Sequence, residues 1–169
     1  MKTTEPQTGE YWKTRQLNDA DRDWGYGESN WVKDYWASRA HPHRKLILKA
    51  IEKLAPLDLA DVGCNCAPNL SLIHEKFPQI DLFGMDASQD AVDFGKKALC
   101  KHIKLVQGDD FTRLPWRNKS MDVVLADASL MYAHPDHIEE ALLEVVRVAN
   151  KAVIIVDRCS EESVVTGAV

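Results

Sequence analysis

The sequence predicts a three-layer α/β fold in which a doubly wound, mostly parallel sheet lies between helices. Two observations support this. From His41 onward, short apolar runs alternate with segments whose apolar residues recur at helical spacing. The short runs are continuously apolar, which is typical of strands covered on both faces. With 169 residues the chain has the length of one domain, since about 100–200 residues is usual.

Prolines and apolar spacing place the individual elements. Pro42 opens a first helix and Pro56 ends it; its apolar positions are Leu46, Ile47, Ala50, Ile51 and Leu54. Further helices are predicted over about 69–77, 88–99 and 135–148, with Ser88 as the cap of the second of these. Five strands are predicted over about 57–62, 80–85, 103–107, 121–126 and 152–156. In such a sheet a ligand lies beyond the carboxyl ends of the strands, where the strand order reverses.

Residues 1–40 differ from the rest of the chain in composition. They hold four of the five tryptophans and three of the four tyrosines. Residues 19–28 contain two glycines and are predicted to form an irregular loop. A short helix is predicted from Trp31 to about Ser38, with Asn30 as its cap. We therefore divide the chain into an aromatic N-terminal extension, residues 1–40, and a ligand-binding domain, residues 41–169.

Charge and composition exclude several classes of partner. The formal net charge of −5 repels polyphosphate, so a nucleic-acid partner is not expected. The sequence contains no run of about 18 apolar residues, so no membrane span is predicted. The first residues lack the apolar core of a signal peptide, which predicts a cytoplasmic protein with reduced thiols. Cys64 and Cys66 lack a second pair of ligands, so no metal site is expected.

Carboxylates follow four successive strands at the predicted ligand edge: Asp61, Asp86, Asp109 and Asp127. Gly63 allows a tight turn whose backbone N–H groups are expected to face a ligand. Asp86 can accept hydrogen bonds from both hydroxyls of a ribose. Asp109 supplies an acceptor for the amine of adenine, and the aromatic Phe111 covers the ring. Each segment alone also fits a simpler interpretation: a connecting turn, a helix cap or a polar loop. Their order and spacing favour a bound nucleoside.

From about residue 42 to 157 the chain resembles the Rossmann-like class I S-adenosylmethionine-dependent methyltransferases, especially the branch that acts on small molecules. The resemblance implies S-adenosyl-L-methionine as cofactor, with S-adenosyl-L-homocysteine as product. In that family the segment matching residues 61–67 wraps the methionine part. The residue matching Asp86 binds the ribose, and that matching Asp109 contacts adenine. The expected cofactor contacts are Asp61, Gly63, Cys64, Asn65, Cys66, Asp86, Ala87, Asp109, Asp110, Asp127, Ala128, Tyr35 and Arg39.

The chain departs from the family pattern at two places. Asn65 and Ala67 stand where glycines are common; Asn tolerates a left-handed conformation, and Ala67 costs little if its φ is negative. After the fifth strand the family adds a helix and an antiparallel pair of strands, for which the residues after Asp157 are too few. The sequence therefore predicts either a fold shortened after strand five or a truncated chain. An exposed fifth-strand edge favours a homodimer.

The residues after the fourth strand are the candidates for catalysis. Asp127, Tyr132 and His134 are expected to face the methyl acceptor, and His134 suits a general base by its ordinary pKa. His134 fits equally well as a cap before Pro135. His43 and Arg44, at the start of the first helix, are also expected to reach the site.

The N-terminal aromatic residues resemble a lid. Tyr26, Tyr35, Trp36 and Arg39 are expected to close over the cofactor, where an aromatic face favours a sulfonium cation. The alternative is that these aromatics pack on the helices of the sheet.

Three function classes remain open: a methyltransferase with an unidentified small-molecule acceptor, a cofactor-binding protein without catalysis, and a nicotinamide-dependent oxidoreductase. The last needs glycines at spacings that Asn65 and Pro68 do not supply.

Overall fold

A computed structural model describes Trp12, residues 35–99 and residues 101–157. In this part of the chain, buried apolar runs form one parallel sheet. Its strands are β1 (Asp58–Val62), β2 (Asp81–Asp86), β3 (Ile103–Gln107), β4 (Met121–Asp127) and β5 (Ala149–Val156). They lie side by side in the order β3-β2-β1-β4-β5, and every neighbouring pair is parallel.

Helices cover both faces of the sheet. They are α1 (His43–Leu54), α2 (Pro68–Lys76), α3 (Gln89–Ala98) and α4 (Ile138–Val148), with 3₁₀ turns at Ser38–Ala40, Leu130–Tyr132 and Pro135–His137. Successive side chains of a strand point to opposite faces. Leu59 therefore packs with α1, α2 and α3, whereas Ala60 and Val62 pack with α4. The predicted three-layer α/β fold is confirmed.

The strand order reverses at β1, and this fixes where a ligand can lie. From β1 the chain runs outward through β2 and β3, then returns to β4 on the other side of β1. In sheets of this topology a ligand crevice lies at the carboxyl edge beside such a reversal, so we expect one between the connections that leave β1 and β4. The carboxylates predicted at the strand ends belong to this edge.

Two elements begin elsewhere than the sequence pattern predicted. β5 begins at Ala149, three residues before the predicted start at about 152. The polar residues of this added segment lie beside β4, where Lys151 Nζ binds Asp122 Oδ2 at 2.6 Å. Residues 135–137 form a 3₁₀ turn, and α4 begins only at Ile138. The predicted cap of α3 is confirmed, since Ser88 Oγ accepts from the N–H of Ala91 at 3.2 Å.

Only part of the predicted N-terminal helix can be compared with the structure. Residues 35–37 are helical and lead into the turn Ser38–Ala40. The cap at Asn30, the loop at 19–28, Tyr26 and the residues after Asp157 lie outside the described residues. The division into residues 1–40 and 41–169 stays a prediction. Among the described helices, none has the length and apolar character needed to cross a bilayer.

Candidate functional site

The turn after β1 is built from residues with left-handed backbone. Gly63, Asn65 and Ala67 have φ values of +74°, +52° and +64°. A Cβ at position 63 would lie 2.4 Å from Ser129 Cβ, so only glycine fits there. Asn65 keeps the turn, as predicted. The condition under which Ala67 would cost little, a negative φ, is not met; a left-handed alanine costs roughly 1–2 kcal/mol, which burial of its methyl group partly offsets.

The backbone N–H groups of residues 63–67 all donate within the protein. The N–H groups of Gly63 and Cys64 donate to Met85 O at 2.8 and 2.9 Å. The N–H of Asn65 donates to Asp86 Oδ2 at 2.7 Å. The N–H of Cys66 donates to Asn65 Oδ1 at 2.6 Å, and the N–H of Ala67 donates to Cys64 O at 2.8 Å. The expectation that these groups face a ligand is therefore wrong, because the tight turn uses them to hold itself against β2.

Asp86 ends β2 and is held between two backbone N–H groups. Its Oδ2 accepts from Asn65 N at 2.7 Å and its Oδ1 from Ser88 N at 2.9 Å. The side chain is only half-buried, and each carboxylate oxygen can accept a second hydrogen bond. Burial raises the pKa of Asp86, and the two N–H donors oppose that shift. The carboxylate is thus oriented and retains acceptor capacity at the crevice.

The residues next to Asp86 and after β3 surround the same edge more loosely. Ala87 is half-buried, and its carbonyl accepts from Gln107 Nε2 at 3.1 Å. Asp109 and Asp110 are exposed. Asp110 Oδ1 accepts from the N–H and the hydroxyl of Thr112, at 2.8 and 2.6 Å, and so closes a local turn.

Four polar side chains lie buried beneath the crevice; they are called the buried polar cluster and comprise Arg44, Asp61, Asn69 and Asp127. Arg44 Nη1 donates to Asp127 Oδ2 at 3.1 Å and also to Asn69 Oδ1. Asn69 Nδ2 donates to Asp127 Oδ2 at 3.0 Å and to Asp61 Oδ2 at 3.4 Å. The cluster therefore joins β1, β4, α1 and α2. Sequence analysis missed Asn69, although it is a polar residue in the first turn of an otherwise buried helix segment.

Asp61 is the least solvated member of the cluster. Its Oδ1 is buried and has no hydrogen-bond partner. Burial, followed by the negative charge of Asp127, raises the pKa of Asp61 to about 8. Asp61 is therefore mostly protonated at neutral pH, whereas Asp127 faces a guanidinium. The cluster then carries one negative and one positive charge.

The segment before α1 contacts both this cluster and the neighbouring helices. Ser38 accepts from Arg44 through its carbonyl and its hydroxyl, at 3.1 and 2.8 Å. The Arg44 guanidinium lies 5.9 Å from the ring centre of Tyr35, and burial raises the pKa of Tyr35. Arg39 Nη1 donates to Ser71 Oγ at 2.9 Å and to Glu75 Oε1 at 3.1 Å, both on α2.

Trp36 packs against a helix, as the alternative prediction had it. Its ring meets Phe94 of α3 edge-on at 5.8 Å, and the Arg39 guanidinium lies 4.5 Å from its ring centre. Tyr35 and Trp36 also pack against Cys66 of the turn after β1. Cys64 and Cys66 are buried free thiols, and burial raises the pKa of both.

Among the predicted catalytic residues, His134 and Tyr132 lie on the segment that follows β4. His134 is exposed, and its Nδ1 accepts from Asp136 N at 3.2 Å, so it caps the 3₁₀ turn as the alternative interpretation proposed. The ring of Tyr132 meets that of Trp12 at 4.8 Å. Ala128 is exposed with φ +53°, and Ser129 Oγ donates to Val62 O at 2.6 Å.

Asp127 lies beneath the crevice rather than open to an acceptor. It is 6% exposed, and its Oδ2 accepts from Arg44, Asn69 and His43. His43 and Arg44 both bind Asp127 directly; that they reach a bound ligand stays a prediction.

Residues 59–152, from β1 into β5, match a family model described as a methyltransferase domain. The chain belongs to this methyltransferase domain family. The oxidoreductase interpretation gains no support from the match. The matched span contains the turn after β1, Asp86 and Asp127, and it leaves out α1 and the segment before it.

Curated relatives of this methyltransferase domain share only part of its length. Trans-aconitate 2-methyltransferase of Escherichia coli O1:K1 / APEC is 30% identical over 96 residues, which are 53% of this chain and 36% of that protein. The Rhodopseudomonas palustris (strain BisB5) protein of the same name is 29% identical over 101 residues, 60% of this chain and 38% of the relative. The chain thus matches less than two fifths of these relatives' lengths.

Solved methyltransferase structures share the fold. A plantazolicin methyltransferase in complex with a pentazolic desmethyl analogue and SAH superposes with a TM-score of 0.60 at 21% identity, over 75% of this chain and 52% of that one. A putative S-adenosyl-L-methionine-dependent methyltransferase from Methanococcus maripaludis gives a TM-score of 0.60 at 19% identity, over 73% and 61%.

The buried proton on Asp61 predicts how stability depends on pH. The folded protein keeps this proton up to about pH 8, whereas an unfolded Asp loses it near pH 3.9. The folded state thus binds more protons across this interval, and the contribution of Asp61 to stability falls as pH rises. We expect the free energy of unfolding in urea to fall between about pH 5 and pH 8, by on the order of 1 kcal/mol per pH unit.

The variant Asp61→Asn tests this assignment, because it retains an oxygen that accepts from Asn69 and cannot ionise. Its unfolding free energy should depend much less on pH over the same interval. Parallel pH dependences for the two proteins would contradict a protonated Asp61.

Proposed function

We propose that this methyltransferase domain binds S-adenosylmethionine at the carboxyl edge of the sheet and transfers the methyl group to a small-molecule acceptor. The observation that carries the proposal is the Asp86 carboxylate, oriented at the crevice beside the left-handed turn after β1. The family match supports the same function. So does the presence of SAH in the plantazolicin methyltransferase complex, which has the same fold.

The residues present fit such a cofactor. Asp86 would hold the ribose hydroxyls, and the segment 61–67 would surround the methionine part. Asp61 Oδ1 is buried and has no partner; an ammonium group of the ligand would displace the proton of Asp61 and donate to the ionised carboxylate there. Asp109, with Asp110 behind it, would lie at adenine, and Ala87 and Ala128 would line the crevice. When bound, S-adenosylmethionine supplies an activated methyl group with a neutral leaving group.

The first prediction concerns Asp86. Asp86→Asn removes a charged acceptor, and hydrogen bonds to charged groups contribute about 1.5–3 kcal/mol. We therefore expect the affinity for S-adenosylhomocysteine, measured by calorimetry, to fall by about 10-fold to 100-fold. Asp81→Asn is the matched control, because Asp81 is an exposed carboxylate at the opposite end of β2, and its affinity should equal that of the unmodified protein. Equal binding of S-adenosylhomocysteine by all three proteins would refute the role of Asp86, and binding of NAD instead would refute the cofactor assignment.

A cofactor-binding protein without catalysis is the second candidate function. Turnover separates it from an enzyme: the protein is incubated with labelled S-adenosylmethionine and a panel of hydroxyl, amine and carboxylate compounds. Trans-aconitate belongs on the panel because the curated relatives carry its name. Cofactor binding without transfer to any compound would favour the binding protein.

We also propose that the N-terminal extension acts as a lid over the bound cofactor. Tyr35 and Trp36 pack against the turn after β1, and Trp12 contacts Tyr132 beyond β4. This extension therefore meets both connections that border the crevice. In this proposal Tyr35 and Arg39 take part in closing the site, Arg39 through its hold on α2.

The lid is tested by deleting residues 1–34, which removes Tyr26 and Trp12, the residue that contacts Tyr132, and leaves Tyr35 and the other partners of Arg44 in place. An aromatic face favours a sulfonium by about 0.5–2 kcal/mol. We expect the shortened protein to lose affinity for S-adenosylmethionine by about 2-fold to 30-fold, and to lose less for S-adenosylhomocysteine, which lacks the sulfonium charge. Unchanged affinity for both compounds, with an unfolding temperature equal to that of the full chain, would refute the lid.

The sheet edge supports a proposal about assembly and location. β5 is an edge strand of the described sheet, and Ile155 on it is 47% exposed. We propose that two copies pair through β5, in the cytoplasm, where buried thiols such as Cys64 and Cys66 stay reduced. Light scattering at high concentration should give twice the mass of one chain, and the Ile155→Lys variant should give the mass of a single chain. A single-chain mass at every concentration would refute the pairing.

A further inference from the structure

Two histidines form a hydrogen-bonded pair at the start of α1, outside the span that matches the family. His43 Nε2 lies 3.0 Å from Asp127 Oδ2, and His43 Nδ1 lies 2.5 Å from His41 Nδ1. His43 is 29% exposed at its side chain, whereas His41 is exposed. The two rings therefore connect the buried carboxylate at the end of β4 to the surface.

The contacts of Asp127 determine how protons are arranged in the pair. Arg44 and Asn69 both donate to Asp127 Oδ2, so this oxygen carries no proton and accepts from His43 Nε2. A neutral His43 then has its lone pair on Nδ1. The backbone N–H of His43 also points at His41 Nδ1, but at 3.4 Å this contact is long for a hydrogen bond. Only one proton fits between the two Nδ1 atoms at 2.5 Å, and in a neutral pair it belongs to His41. The lone pair that can take up another proton is then on His41 Nε2.

We propose that His41 and His43, anchored by Asp127, are a paired imidazole base for acceptors whose nucleophile arrives protonated, a hydroxyl or an ammonium. The inference rests on the proposed function. His41 is the catalytic residue in this account, and His43 and Asp127 are positioning residues. A bond forms between the acceptor's oxygen or nitrogen and the methyl carbon. The bond from that carbon to sulfur breaks with its electron pair, and the acceptor's proton moves to His41 Nε2.

The other candidates at this edge are less suited to take a proton. His134 Nδ1 is occupied by Asp136 N in its capping turn. Asp127 is buried and saturated with donors at Oδ2, and Asp61 already holds a proton because burial raises its pKa. The His41 ring is exposed at the start of α1.

The groups around the pair leave little net charge near it. The charged and titratable neighbours of Asp127 and His43 are Arg44 on α1, Asp61 on β1, and Tyr35 and His41 before α1. The charges of Arg44 and Asp127 oppose one another. Burial raises the pKa of both Asp61 and Tyr35, which keeps these two groups neutral.

A measurement without cofactor tests the pair itself. Nitrogen–proton correlation spectra of the histidine rings are recorded across the titration for the full chain, for His41→Gln and for His102→Gln. His102 is the matched control because it is exposed, lies at the opposite edge of the sheet before β3, and faces another imidazole, His74. We expect the proton of neutral His43 on Nε2, and a changed His43 titration in His41→Gln alone. A His43 curve that neither variant changes would overturn the pair.

Turnover tests the chemistry, using labelled S-adenosylmethionine with the panel of hydroxyl and amine compounds. General bases contribute about 10²-fold to 10⁴-fold. We expect His41→Gln to lower kcat at least about 100-fold with little change in KM, and to abolish the fall in rate on the acid side. His43→Gln retains a donor to Asp127, and the fall in its rate on the acid side should also disappear. His102→Gln should match the unmodified protein.

Each remaining outcome is decisive. Rates within about twofold for His41→Gln and His102→Gln would overturn the assignment of His41. S-adenosylhomocysteine binding without transfer to any hydroxyl or amine compound would overturn it as well. If the unmodified protein does not bind S-adenosylhomocysteine at all, the proposed function itself is refuted.

Discussion

The ion pair between Arg44 and Asp127 is the interaction on which the candidate site depends. It is almost completely removed from water, with both side chains less than one tenth exposed. Taking two charges out of water costs several kcal/mol per ion, and only further hydrogen bonds make such a pair tolerable. Asn69, Ser38 and His43 provide them. Removing one partner of a buried pair typically costs about 3–5 kcal/mol, so α1, α2, β4 and the segment before α1 are tied to one geometry.

The same pair governs the charge available to a ligand. Two carboxylates beside one guanidinium would leave an uncompensated anion, and burial resolves this by raising the pKa of Asp61 to about 8. At neutral pH the cluster is balanced internally and holds one carboxyl oxygen, Asp61 Oδ1, with no partner. In the proposed function, a cationic ligand group there would favour the ionised carboxylate, below the oriented carboxylate of Asp86.

The architecture was predictable because burial on both faces leaves a strong trace in the sequence. Short apolar runs marked all five strands, although β3 is interrupted by a lysine, and Pro56 and Ser88 marked ends of helices. The strand ends were equally visible as carboxylates. β5 was placed too late because Asn150 and Lys151 look like loop residues until Asp122 of the neighbouring strand is known to bind them. Pairing between strands is a long-range property that local pattern does not carry.

The details of the site were less predictable for the same reason. A glycine at position 63 indicated a tight turn, but whether the N–H groups of that turn face a ligand or the β2 backbone depends on tertiary contacts. Asn69 and His43 look like ordinary helix-start residues, and only the position of Asp127 unites them. His134 drew attention as a histidine near the fourth strand, yet its geometry is that of a cap.

The most direct measurement is a crystal structure of the protein with S-adenosylhomocysteine. The account predicts both ribose hydroxyls on the free acceptor positions of Asp86, with Asn65 N and Ser88 N still bound to the same carboxylate. It also predicts the ligand's ammonium group at Asp61 Oδ1. A ligand seated away from the carboxyl edge, or a ribose with no contact to Asp86, would contradict it.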